Sequence, residues 1–146
     1  MRTPIAAATL AAAALPIVLA GPANAERYGI DDPEDTHHGS DVLSLSVRNA
    51  GESIDITTHH HNLRRDPDTG SAGVVYLDTD RTDRGPEYVF VGGFYAGTDY
   101  TLMDTEGFGR RQWGQPLRHA DYLMRVDYRH DNVRIRLHRP GVGDPD

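Results

Sequence analysis

Val42-Leu43-Ser44-Leu45-Ser46-Val47-Arg48-Asn49-Ala50-Gly51-Glu52-Ser53-Ile54-Asp55-Ile56-Thr57 alternates apolar and polar residues on both sides of a glycine-bearing turn. Leu43, Leu45 and Val47 share one side of an extended segment, because successive side chains of a strand point to opposite faces. Ile54 and Ile56 share a side after the turn in the same way. Pairing Asn49 with Glu52 across Ala50-Gly51 sets Val47 against Ile54 and Leu45 against Ile56. One face of this hairpin is then apolar throughout, as a half-buried antiparallel sheet requires.

The end of the chain repeats the pattern. Tyr122, Met124, Val126 and Tyr128 alternate with Leu123, Arg125 and Asp127; Val133, Ile135 and Leu137 alternate with Arg134, Arg136 and His138. A two-residue loop at His130-Asp131 would put Tyr128 opposite Val133 and Val126 opposite Ile135. On the wet face it would set Asp127 against Arg134, a favourable cross-strand pair. Shorter runs lie between the hairpins: Val74 to Leu77, Tyr88 to Val91, Tyr100 to Met103 and Gly109 to Trp113. Asp78-Thr79-Asp80, Gly92-Gly93, Gly97-Thr98-Asp99 and Glu106-Gly107 separate them with turn chemistry. No segment after residue 25 has a helical period. The pattern predicts an all-β chain, an antiparallel β-sandwich of about seven or eight short strands over residues 41–139. A small β-barrel is the alternative.

The flanks read differently. Residues 1–25, MRTPIAAATLAAAALPIVLAGPANA, combine Arg2, an uncharged apolar run from Ile5 to Leu19, a break at Gly21-Pro22 and small residues at Ala23 and Ala25. That is the form of a signal peptide cleaved after Ala25, and it predicts secretion. The apolar run is too short and alanine-rich for a membrane anchor, which needs about 20 apolar residues. Residues 26–40 are polar, with Asp31-Asp32-Pro33-Glu34-Asp35 and His37-His38-Gly39, and read as a disordered leader. Residues 140–146 read as a flexible Pro/Gly/Asp tail.

Composition narrows the partners. The formal charge is −7 and becomes −8 without Arg2. So acidic a chain repels phosphate backbones and anionic lipid, which argues against nucleic acid and membrane partners. There is no cysteine, so neither disulfides nor a lipid-modified export signal are available, and core burial alone must hold the 121 residues after Ala25. All 15 basic residues are arginine, a mark of GC-rich coding.

From Asp41 to Pro140 the chain resembles a group of small secreted β-sandwich proteins of high-GC bacteria. The likeness rests on Val75-Tyr76-Leu77-Asp78-Thr79-Asp80, Gly85-Pro86-Glu87-Tyr88, Met124-Arg125-Val126-Asp127-Tyr128 and above all the run Gly92-Gly93-Phe94-Tyr95-Ala96-Gly97-Thr98-Asp99-Tyr100. Members of the group have no assigned activity, so the resemblance implies fold and export only. Many carry a pair of cysteines whose matching places here are Ala120 and Gly141; the resemblance implies a disulfide lost as a pair.

Three constellations could bear chemistry. Asp78, Asp80 and Asp83 follow a strand on one loop and offer hard oxygen ligands suited to calcium. The spacing is not that of an EF-hand, and Arg81 and Arg84 lie within the loop, so an ordinary solvated turn competes. His59 and His61 on the second strand, with Asp55, could converge on zinc or copper, while His37 and His38 lie far off in the leader; a polar outer face competes. Aromatic residues concentrate between Tyr88 and Trp113. Tyr88 and Phe90 alternate as core residues do, whereas Phe94, Tyr95 and Trp113 sit near glycines in loops and are the candidates for an exposed ligand-binding platform.

Catalytic signatures are missing. Gly70-Ser71-Ala72-Gly73 lacks the spacing of a nucleophile elbow, and there is no HExxH helix, phosphate-binding glycine loop or cysteine nucleophile. The expectation is a secreted, non-enzymatic domain that binds an extracellular or cell-envelope ligand such as a glycan. The rivals are a structural or interaction protein without a small-molecule site, and a small secreted hydrolase.

Overall fold

The computed structural model describes residues 26–143, apart from the side chain of Thr69. Their strands are β1 (Glu26–Asp31), β2 (Val42–Ala50), β3 (Ser53–His60), β4 (Ala72–Leu77), β5 (Tyr88–Gly93), β6 (Tyr100–Thr105), β7 (Trp113–Pro116), β8 (Tyr122–Asp127) and β9 (Asn132–His138). They form a five-stranded antiparallel sheet, β1-β2-β3-β9-β8, and a four-stranded one, β4-β5-β6-β7. The sheets remain separate, so the protein is a sandwich and the barrel alternative falls. Among the described residues no helix is long and apolar enough to cross a membrane.

The core lies between the sheets and is built from the predicted alternation. Ile54, Ile56, Met124, Val133, Ile135 and Leu137 face inward from the larger sheet; Leu77, Phe90 and Leu102 meet them from the smaller. Tyr100 stacks on Phe90 with ring centroids 5.8 Å apart, and Tyr122 meets Phe90 edge-on at 6.0 Å. Apolar surface removed from water on this scale is the main force holding a cysteine-free domain together.

Both hairpins differ from expectation by two residues of register. Val47 faces Ile56 rather than Ile54, and Asn49 faces Ile54. The reason is the turn. Gly51, with φ +58, occupies the first position of a two-residue Gly51-Glu52 loop, where a type II′ turn calls for glycine. At the other hairpin Val126 faces Val133 and Met124 faces Ile135. Its loop runs from Tyr128 to Asp131, and Asp131, with φ 53, accepts from the Leu63 backbone through Oδ1 and from the His60 backbone through its carbonyl. The expected Asp127–Arg134 pair is therefore absent: Arg134 faces Arg125, and Asp127 faces Asn132. A shift of two keeps every side chain on its face.

The flanks are more ordered than their composition suggests. Glu26–Asp31, read as leader, forms an edge strand paired residue by residue with β2, from Glu26–Asn49 to Asp31–Ser44. Every residue of it is exposed, so main-chain hydrogen bonds hold it rather than burial. Arg139–Val142, read largely as tail, is a 3-10 turn whose Val142 is fully buried in the core. The same turn brings Gly141 beside Ala120: a Cβ built on Gly141 would lie 3.1 Å from the Ala120 Cβ. The export segment, residues 1–25, lies outside the described residues, as do residues 144–146.

Candidate functional site

The outer face of the four-stranded sheet carries a group of aromatic rings. Tyr76 points outward because Val75 and Leu77 on either side of it pack on the core. Across the ladder it stands opposite Val89, which is opposite Met103. Val89 alternates with Tyr88 and Phe90, both packed inward, yet it is fully buried. Something must cover it from outside, and the rings on that side are Tyr76, Phe108 and Trp113. Tyr76 meets Phe108 edge-on at 5.1 Å and Trp113 at 6.5 Å.

Hydrogen bonds lock the group. Trp113 Nε1 donates to Tyr76 Oη at 3.2 Å, and Tyr76 Oη donates to the Phe108 carbonyl. The loop that presents Phe108 is closed by Gln112, whose Oε1 accepts from Gly109 N at 3.0 Å and whose Nε2 donates to the Glu106 carbonyl at 3.2 Å. Residues 109–112, expected as part of a strand, instead make a 3-10 turn that delivers Trp113 to β7. Arg110 places its guanidinium 5.6 Å from the Trp113 ring centroid. Phe108 is 68 % exposed. The result is a rigid, half-wet aromatic shelf with a cation at its rim, able to stack on a flat apolar face and to bond polar substituents beside it.

Of the three aromatic residues singled out from sequence, only Trp113 belongs to this shelf. Phe94 is core: it is 7 % exposed and stands edge-on to His60. Gly73 makes room for it, since a Cβ there would meet Phe94 Cζ at 2.4 Å. Tyr95 is half-buried with its ring over Gly93, at the opposite end of β5 from Val89. Four residues of strand put those ends about 13 Å apart. Tyr76 and Phe108, which complete the shelf, were not candidates from sequence; their meeting depends on contacts 32 and 37 residues apart.

The acidic loop is self-contained. Asp80 Oδ1 accepts from Thr82 N at 2.8 Å and Thr82 Oγ1 at 2.6 Å, and Asp83 Oδ1 accepts from Arg84 N at 2.7 Å. The loop closes on Glu87, which takes Thr79 N at 2.6 Å, Thr79 Oγ1 at 3.0 Å and Asp80 N at 3.2 Å. These bonds hold the Asp80 and Glu87 carboxyls below their ordinary range, Asp80 through Thr82 and Glu87 through Thr79. Asp78, Asp80 and Asp83 do not gather, and among the described residues no three His, Asp or Glu side chains could hold one metal ion.

The histidines separate as well. His59 Nδ1 lies 3.2 Å from Asn132 Oδ1 on the outer face, whereas His60 is buried. His61 has left the strand and lies 3.2 Å from Glu34 Oε1, so it does not converge with His59 and Asp55. Compared with known proteins, the chain matches no family model, no curated protein and no solved structure.

Proposed function

We propose that this chain is an exported, non-enzymatic β-sandwich that binds a glycan of the cell envelope or its surroundings on the shelf formed by Tyr76, Phe108 and Trp113. The observation that carries this reading is the hydrogen-bonded chain from Trp113 through Tyr76 to the Phe108 carbonyl. Rings already fixed lose little further freedom when a sugar stacks on them, so most of the contact energy remains available for binding. Arg110 adds a donor at the rim for ring hydroxyls.

Trp113 is the single tryptophan, so tryptophan emission, excited at the red edge where tyrosine does not absorb, reports on the shelf alone. Titration of the mature chain with a panel of neutral oligosaccharides should shift or quench this emission for the recognised glycan. Tyr76→Ala should weaken that binding more than about tenfold, as loss of a central aromatic contact does. Binding that leaves the emission unchanged and survives Tyr76→Ala would place the ligand elsewhere. For export, mass spectrometry of culture supernatant should find a chain starting at Glu26, and an uncut product held in the membrane fraction would refute it.

A further inference from the structure

The outer face of the five-stranded sheet carries an accumulation of positive charge that the net charge of −7 conceals. Arg48, Arg125, Arg134 and Arg136 alternate with inward-facing residues and point outward, and Arg27 is exposed on the edge strand β1. The ladder sets Arg27 opposite Arg48 and Arg125 opposite Arg134. Arg48 and Arg136 flank Asp55 on β3. Among the described residues the face holds one ion pair between Arg and carboxylate, Arg136 Nε to Asp55 Oδ1 at 2.6 Å.

Like charges directly opposite one another in a sheet destabilise it. Three of the 22 acidic residues share this face, and Asp55 alone lies among the arginines: Asp31 ends the edge strand opposite Ser44, and Asp127 is spent on its own hairpin loop through Arg129 N and His130 Nδ1. The arrangement is poor for stability and good for holding an anion, the combination found where function is bought with stability.

The neighbours of the arginines narrow the ligand. The charges surround a depression of about 330 Å³ lined also by Thr57 and Leu123, and Leu123 is 39 % exposed. Guanidinium forks grip carboxylates in two-point fashion. The Thr57 hydroxyl suits sugar hydroxyls, and Leu123 suits the apolar face of a sugar ring. A densely charged polymer fits worse: duplex DNA carries a charge about every 1.7 Å, and a chain of net charge −7 repels it beyond the few arginines of this face.

We propose that this arginine face is a second binding site, separate from the aromatic shelf, for a carboxylate-bearing acidic polysaccharide. Arg125 and Arg134 hold the carboxylates, and Asp55 competes with the ligand for Arg136.

The test uses the mature chain and polygalacturonate as probe, at low salt, with dextran, duplex DNA and phosphatidylglycerol vesicles in parallel. Polygalacturonate should bind and dextran should not. The double variant Arg125→Gln/Arg134→Gln should lose about tenfold or more of the affinity, as removal of two charge-assisted contacts does. Its melting temperature should equal or exceed that of the parent, since the like-charge pair is gone. Asp55→Asn should bind more tightly, an outcome that a merely structural role for the face does not produce. Trp113→Ala should leave this binding intact, which separates failure of this site from failure of the shelf. Failure to bind polygalacturonate, undiminished binding by the double variant, or preference for DNA or vesicles would overturn the proposal.

Discussion

The ring of His60 stands edge-on to Phe94 inside the sandwich, with 5.0 Å between centroids and 62° between planes. The imidazole is satisfied in its neutral form. Nδ1 lies 2.9 Å from the Ser40 carbonyl and so must donate, which leaves Nε2 to accept from Thr58 Oγ1 at 2.7 Å. Burial therefore pushes the His60 pKa below its ordinary value of 6.5, because a charge here would lose its water. Thr58 and His60 both point inward from β3, which is why a histidine-rich stretch contributes to the core rather than to a metal site.

That relationship predicts a dependence of stability on pH. The folded state keeps His60 neutral while the unfolded chain protonates it near 6.5. The contribution is complete above 6.5 and is lost as the pH falls toward the lower, folded value. Asp80, Asp127 and Glu87 lose theirs only nearer their ordinary 3.8 and 4.5. Between about pH 7.5 and 5 the melting temperature should fall, and His60→Gln should start lower but decline less steeply. Parallel curves for the two proteins would show that His60 is not the group responsible.

The core makes a graded prediction. Ile56 is buried on the central strand β3, opposite Val47 and Ile135. Val126 is only partly buried, next to the last residue of β8. Ile56→Ala should cost about 3 kcal/mol and Val126→Ala about 1 kcal/mol in denaturant unfolding, since the cost follows the cavity left behind. Equal losses, or less than about half a kcal/mol in both, would contradict the assignment of faces.

What periodicity reveals here is the face on which a residue lies, and little else. Leu45, Val47, Ile54 and Ile56 were legible because alternation survives a register error of two. The register itself depended on Gly51 adopting φ +58, which the letters Ala50-Gly51-Glu52 leave open. β1 was invisible because Tyr28 and Ile30 remain exposed, so no burial pattern marks it. Val142 was invisible for the opposite reason: one buried residue after Pro140-Gly141 has no period. Phe94 looked like loop because Gly92-Gly93 precede it, whereas the glycine that decides its place is Gly73, on the neighbouring strand. The shelf depends on non-local contacts, and its one legible member was Trp113.

The loop between β4 and β5 predicts a negative result with calcium and a positive one with Glu87. Asp80 and Asp83 already accept from their own loop, and the loop is closed by three hydrogen bonds to Glu87 Oε2. Millimolar calcium should leave the melting temperature unchanged, since stabilisation requires preferential binding to the folded state. Glu87→Ala should cost about 1 kcal/mol by freeing the Thr79 and Asp80 amides, and Glu87→Gln, which keeps an acceptor, should cost less. A calcium-dependent rise abolished by Asp80→Asn would restore the metal site.

Ala120 and Gly141 give the last prediction. Ala120 lies two residues before the start of β8, and Gly141 belongs to the turn anchored by the fully buried Val142. A Cβ on Gly141 would approach that of Ala120 to 3.1 Å. A disulfide asks for a separation of about 3.5–4.5 Å, so a shift of a few tenths of an ångström at Gly141, beside the exposed Pro140, admits the bond while Val142 stays in the core. Gly141 is not among the glycines of positive φ, and a side chain there meets no backbone penalty. The bridge would close a loop of about 20 residues and restrict the unfolded chain, a gain of about 3 kcal/mol before any native strain. Ala120→Cys/Gly141→Cys should therefore show no free thiol after oxidation, unfold at a higher temperature than the parent, and lose that gain on reduction. Two titratable thiols under oxidising conditions, or an oxidised form no more stable than the parent, would mean that the turn does not hold Gly141 against β8.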